Sequence, residues 1–167
     1  MTIDLQTVFE GICATVAVLA LIYAAKQVWE AQKSRFLSTY LTFEERISNP
    51  SARADRRTIY NTDLSNPEAL NQETRIIVDR VCATFDILGV FIKLGFMYKP
   101  LVFKLSYDVI IKCWQKTADY IKFESSAQRR GKNFMTDFYY LYTKAEAFRK
   151  KNKLPDVKIY HDPSATV

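Results

Sequence analysis

Asp79 and Asp86 stand seven positions apart, a spacing that on a helix is about two turns and places both carboxylates on roughly one face. A general acid and a general base need such a pair in a cleft, with unequal surroundings to split their proton affinities. Arg75, Arg80 and Lys93 flank them, so ordinary ion pairing is the expected role. Asp108 and Asp119 carry the same expectation. The chain has no G-x-x-x-x-G-K, G-x-G-x-x-G, H-E-x-x-H or G-x-S-x-G pattern, and Gly131-Lys132 lacks the preceding glycine that a phosphate loop requires. The single histidine, His161, has no partner at ligand spacing. Cys13, Cys82 and Cys113 form no C-x-x-C pair; each sits in an apolar helical pattern, where a free thiol is a small hydrophobe. No catalytic, cofactor-binding or metal-ligating residue is expected, and the chain reads as non-enzymatic.

Charge is the more distinctive chemistry. Residues 104–153 hold twelve Lys or Arg against five Asp or Glu, a balance of +7 that exceeds the +6 of the whole chain. Arg129, Arg130, Lys132, Lys150 and Lys151, interleaved with Tyr139 and Tyr142, have the composition of a single-strand nucleic-acid surface, phosphate contacts plus base stacking. The same residues suit an anionic membrane leaflet. Arg53, Arg56 and Arg57 form a second basic group for either ligand, set against a solvated face paired with Asp55. A third reading takes the excess as the positive charge that cytoplasmic segments of membrane proteins carry.

The elements that must carry these charges begin with an uncharged run of fifteen residues, Gly11 to Ala25, GICATVAVLALIYAA. A spanning helix needs about 20 mostly apolar residues. Val8 and Phe9 extend the run on one side and Val28 and Trp29 on the other, while Lys26 can carry its ammonium to the headgroups. Tyr23 and Trp29 suit an interfacial aromatic belt. Two alternatives compete: a buried core helix, and a cleaved signal peptide ending near Tyr23-Ala24-Ala25. The first ten residues contain Asp4 and Glu10 and no Lys or Arg, unlike a signal-peptide n-region. Lys26, Lys33 and Arg35 just beyond the span predict an N-out orientation with the C-terminal bulk in the cytoplasm of the inner membrane. Tyr23, Lys26, Trp29, Lys33 and Arg35 are thus the expected interface residues. Gly11 with Thr15 and Ala20 with Ala24 give four-residue small spacings, a hint of self-association.

From Ile22 the apolar residues Trp29, Phe36, Tyr40, Phe43 and Ile47 recur at helical intervals, so the anchor is predicted to continue as one helix to about Ile47, its stripe buried by the rest of the chain. Asn49-Pro50 stops it and caps a short basic helix to about Tyr60. Asn66-Pro67 repeats that signal and predicts a third helix from Pro67 to Leu94, ended by Gly95 in the left-handed conformation with Phe96 as its hydrophobic contact. Gly89 inside it costs about 1 kcal/mol relative to Ala, which implies close approach of another backbone or a bend. A fourth helix, 101–123, is expected to bury Leu105, Val109, Ile110, Cys113, Thr117, Tyr120 and Ile121. Ser125 to Lys132 is a polar connector, Asn133 caps a fifth helix to about Lys151, and the remainder reads as a flexible tail.

Val81 to Gly95 (VCATFDILGVFIKLG), Trp114 and the stretch Arg129 to Phe138 give the chain a resemblance to an uncharacterised bacterial family of small proteins with one N-terminal membrane helix and a helical cytosolic domain. The resemblance covers the chain from the anchor to about residue 150. It implies a fold outline and a membrane address, and carries no catalytic residue over.

The expectation is an all-α protein: a transmembrane anchor over 1–29, a cytosolic four- to five-helix bundle-like domain over 30–151, and a tail over 152–167. Its partners would be membrane lipids and a protein partner or a second copy of itself, with no cofactor. Three roles follow: a tethered interaction or regulatory module, a membrane-tethered nucleic-acid binder, and a membrane-active effector that oligomerises through its span.

Overall fold

The computed structural model describes residues 5–126 and 128–159. The side chains of residues 5–8 and of Glu10 lie outside the description, as do His161 and the rest of the last eight positions. Among the described residues there are five α-helices and no strand: α1 Leu5–Ser48, α2 Pro50–Asn61, α3 Gln72–Lys93, α4 Lys99–Glu124 and α5 Thr136–Lys151, with one 3-10 turn at Pro67–Ala69. The chain divides into two units, Met1–Ser38 and Thr39–Val167.

In the first unit, the side chains of residues 11–35 are exposed without interruption. This part of α1 is long and apolar enough to cross a membrane, and none of it is buried. The Thr15 hydroxyl donates back to the Gly11 carbonyl at 2.8 Å, so its polarity is spent within its own helix. The expected burial of the emerging stripe starts later than the periodicity implies: Trp29 is 63% exposed and Phe36 half-buried.

The second unit opens with the last turns of α1, where Tyr40, Phe43 and Ile47 are buried. Asn49 caps α2, its side chain accepting from the Ala52 amide at 2.7 Å, with Pro50 in the first turn. α3 packs most extensively on α5, α4 also lies along α5, and α2 rests on both α3 and α4. Ile59, Val78, Phe85, Leu88, Ile110, Tyr120, Phe138 and Leu141 fill the space between them.

Two boundaries and one buried position differ from the sequence reading. Pro67 starts only the 3-10 turn; Leu70 is extended (φ −68°, ψ 133°), and α3 is capped instead by Asn71, which accepts from the Thr74 amide at 2.8 Å. The freed carbonyls of that turn do not need the helix to continue, because Arg75 reaches back to Pro67 O (2.7 Å), Glu68 O (3.2 Å) and Leu70 O (3.1 Å). Asn133 does not cap α5. It lies in a turn, α5 begins at Thr136, and its N-cap is Met135 in the left-handed region at φ 56°. On α4, Leu105 is 54% exposed rather than buried; Ile110, Cys113, Thr117, Tyr120 and Ile121 are buried as expected, and in the first turns the core face runs through Val102, Phe103 and Ser106.

The α3–α4 turn follows the prediction. Gly95 has φ 76°; Phe96 N–H donates to Phe91 O at 2.9 Å and Gly95 N–H to Ile92 O at 3.3 Å, while the Phe91 and Phe96 rings meet edge to face at 6.2 Å. Beyond α5 the described residues 152–159 have no regular structure. Arg149 holds Asp156 there, and Val157 packs against the core.

Candidate functional site

The paired aspartates of α3 are both engaged, in different ways. Asp86 accepts from two backbone amides of α5, Asp137 N–H at 3.0 Å and Phe138 N–H at 2.8 Å. It thus supplies the cap that Met135 cannot, with its negative charge at the positive end of the α5 dipole. Gly89, one turn along α3, makes room for this: a Cβ there would meet the Asp137 carbonyl oxygen at 2.1 Å. Lys93, another turn on, pairs with the Asp137 carboxylate and lies over the Tyr140 ring. α3 therefore presents a notch, an acceptor and a cation in register with the first turn of α5. The expected pairing of Asp86 with a cation of its own helix is replaced by this contact between helices.

Asp79 belongs to a second cluster. It accepts from the Tyr120 hydroxyl at 2.9 Å and pairs with Arg130 at 2.5 Å. Glu124, the last residue of α4 and 4% exposed, holds three guanidinium groups: Arg129 at 3.1 Å, Arg130 at 3.3 Å and Arg75 at 3.6 Å. Arg129 also stacks over Phe123 (3.8 Å) and Arg130 over Phe134 (4.8 Å). Burial and the Asp79 carboxylate push the Tyr120 phenol well above its ordinary range, so it stays a neutral donor. These groups are satisfied by one another.

That arrangement divides the basic candidates. Arg129 and Arg130 are spent on Glu124 and Asp79, whereas Lys132, Lys150 and Lys151 are exposed. Arg53 and Arg57 are exposed, and Arg56 is half-buried. Asp55 pairs with Arg80 of α3 at 3.0 Å rather than with its neighbours on α2. Arg46, Arg56 and Arg80, with Asp55, Asn49 and Thr84, line an open cavity of about 120 Å³. Lys26 and Glu30 lie at 4.0 Å, and Lys33 sits over the Trp29 ring at 5.6 Å; Tyr23 and Arg35 are exposed on the same helix.

Trp114 is the centre of an aromatic ledge on α4 and α5. It meets Phe138 edge to face (5.1 Å), stacks on Tyr142 (5.5 Å, 18°) and touches Tyr139 (5.3 Å), which is 52% exposed. Phe85 stacks on Phe138 from the core side at 5.2 Å. The ledge is therefore backed by packed rings and open only at its outer edge. One face of Tyr142 is taken by Trp114, and Tyr139 is the exposed ring of the group.

Among the described residues, no group of three His, Cys, Asp or Glu side chains is placed to hold a metal ion. Cys82 and Cys113 are buried free thiols, each pushed up to about 12 by burial, and Cys113 touches the Tyr60 hydroxyl at 3.2 Å. Sequence reasoning missed Glu124, Arg75 and the capping role of Asp86. An acid at the edge of the basic SSAQRRGK connector was the one available signal for Glu124.

The model of a family described as a domain of unknown function (DUF4760) matches residues 12–145, so the chain belongs to that family. The matched region takes in most of the uncharged part of α1 and most of the helical unit, ending within α5. No curated protein and no solved structure matches the chain.

Proposed function

We propose that this member of the DUF4760 family is a single-pass protein of the inner membrane, N-terminus outside, whose cytoplasmic helical unit is a non-enzymatic interaction module. The observation that carries the reading is the contrast within α1. Large apolar side chains including Val16, Leu19, Leu21 and Ile22 are all exposed, while Tyr40, Phe43 and Ile47 of the same helix are buried. Leaving that many apolar groups in water is costly at about 25 cal/mol per Å², and a bilayer removes the cost. The orientation follows from the basic residues Lys26, Lys33 and Arg35 on the C-terminal side of the uncharged run.

The interaction role rests on the ledge formed by Trp114, Tyr139 and Tyr142, since rigid, backed aromatic side chains with an open edge are typical anchors of protein interfaces. It is favoured over nucleic-acid binding because two of the arginines on which that alternative depends, Arg129 and Arg130, are already paired. Chemical cross-linking in the native membrane, followed by detergent solubilisation of the full chain, tests it. A specific protein partner or a homo-oligomer is expected, lost in Tyr139→Ala. A strictly monomeric product without a partner overturns the reading, and salt-sensitive retention of single-stranded RNA by the solubilised chain would replace it with the nucleic-acid alternative.

A further inference from the structure

We propose that the tip of the α3–α4 hairpin is a second membrane contact, an apolar wedge that enters the headgroup region of an anionic bilayer. The tip is unusual as turn chemistry. Turns in water are built from Gly, Asn, Asp, Ser and Pro, yet between Gly95 and Pro100 stand Phe96, Met97, Tyr98 and Lys99. The cap geometry fixes where they go. With Gly95 in the left-handed conformation and Phe96 bonded back to Phe91, Met97 turns inward and is 2% exposed, while Leu94, Phe96 and Tyr98 are 63%, 54% and 57% exposed. Leu105, in the second turn of α4, is also exposed. The edge-to-face contact with Phe91 supports the Phe96 ring, which lowers the ordering that inserting it requires.

Charge selects the occupant. From Ile87 to Tyr107 there is no Asp or Glu, and Lys93, Lys99 and Lys104 all fall within that stretch. Lys93 is held by Asp137, while Lys99 and Lys104 are exposed next to the apolar side chains. An aromatic and aliphatic tip flanked by lysines matches the profile of a headgroup region, acyl chains below and lipid phosphate above. A second copy of the same tip would bring lysine against lysine, which disfavours self-pairing.

The inference rests on the anchored reading, and one reconstitution separates the two. The full chain carrying Cys13→Ala and Phe96→Cys is labelled with a small environment-sensitive fluorophore and placed in phosphatidylcholine vesicles, with and without phosphatidylglycerol. Cys82 and Cys113 are buried and escape labelling. Gln72→Cys, exposed at the opposite end of α3 from the tip, provides the aqueous reference, and Tyr98→Cys provides a second position in case labelling at Phe96 disturbs the turn. Quenching by shallow nitroxide lipid is expected to be severalfold stronger at the tip than at the reference, with the tip shielded from aqueous iodide. Lys99→Glu with Lys104→Glu, or removal of phosphatidylglycerol, is expected to return the tip to iodide. If the protein resists alkaline carbonate extraction but the tip label is quenched only by iodide, the wedge is overturned while the anchor stands. Tip label shielded from both quenchers, with self-quenching that grows with protein density, overturns it in favour of a protein contact. Release of the chain by carbonate overturns the anchor itself.

Discussion

Gly89 shows how one missing methyl group sets a helix crossing. An exposed glycine inside a helix is normally improved by alanine, by about 1 kcal/mol. Here the added Cβ would lie 2.1 Å from the Asp137 carbonyl oxygen, a backbone atom that can move only with the whole first turn of α5. Gly89→Ala is therefore expected to reverse the usual sign and destabilise by about 2–3 kcal/mol, read from denaturant or thermal unfolding in detergent. The buried thiols give a pH prediction. Cys82 and Cys113 are held neutral by burial with folded values of about 12, above the ordinary thiol range. A raised folded value means that the folded state binds the proton more tightly than the unfolded one. Their contribution to stability is thus complete below the ordinary thiol value and is lost as pH rises through that value toward about 12. Iodoacetamide at mildly alkaline pH should modify both only after denaturation; modification of the native chain at the unfolded rate would contradict their placement.

At the scale of elements, the connector between α4 and α5 is organised by one buried acid. Arg129 and Arg130 hold Glu124, and through Arg130 the connector reaches Asp79 of α3. Arg75 touches the same carboxylate while clamping the carbonyls of the 3-10 turn, so two irregular segments share a single residue. Glu124→Gln keeps the shape and removes the charge that three guanidinium groups face. A loss of about 2 kcal/mol is expected, below the full cost of breaking a buried pair because the arginines are partly exposed. The location of the damage checks the cause: hydrogen exchange should quicken in residues 125–135 and around Pro67–Ala69, and leave α2 unchanged.

For the molecule as a whole, α1 places two environments on one continuous helix. Residues 11–35 expose apolar side chains, and from Tyr40 the helix becomes part of a packed core. On the anchored reading, a cation in the middle of the apolar part is costly: Leu19→Arg adds about 3 kcal/mol to insertion, or roughly a hundredfold shift toward the uninserted form. Carbonate extraction of membranes checks it, with release of the variant and retention of the parent chain expected. The core of the second unit shares no residue with position 19, so the released variant should still unfold cooperatively.

Periodicity and caps were legible without any structure: the unbroken first helix, Asn49-Pro50 at its end, and Gly95 with Phe96 after the third all depend on residues within one turn of each other. Those are short-range preferences of the backbone, and the chain states them directly. The start of α3 was misplaced because Asn66-Pro67 is a sound local signal overruled by Arg75, whose side chain satisfies carbonyls five to eight positions away. The start of α5 was misplaced for the same kind of reason: its cap is Asp86, fifty-one residues earlier in the chain. Asp79, Arg130 and Glu124 likewise meet only once α3 and α4 are packed. An aspartate on a helix has the same local propensity whether it faces water, a guanidinium or another helix's amides. What it binds is decided by which elements pack beside it, and that is a property of the folded chain.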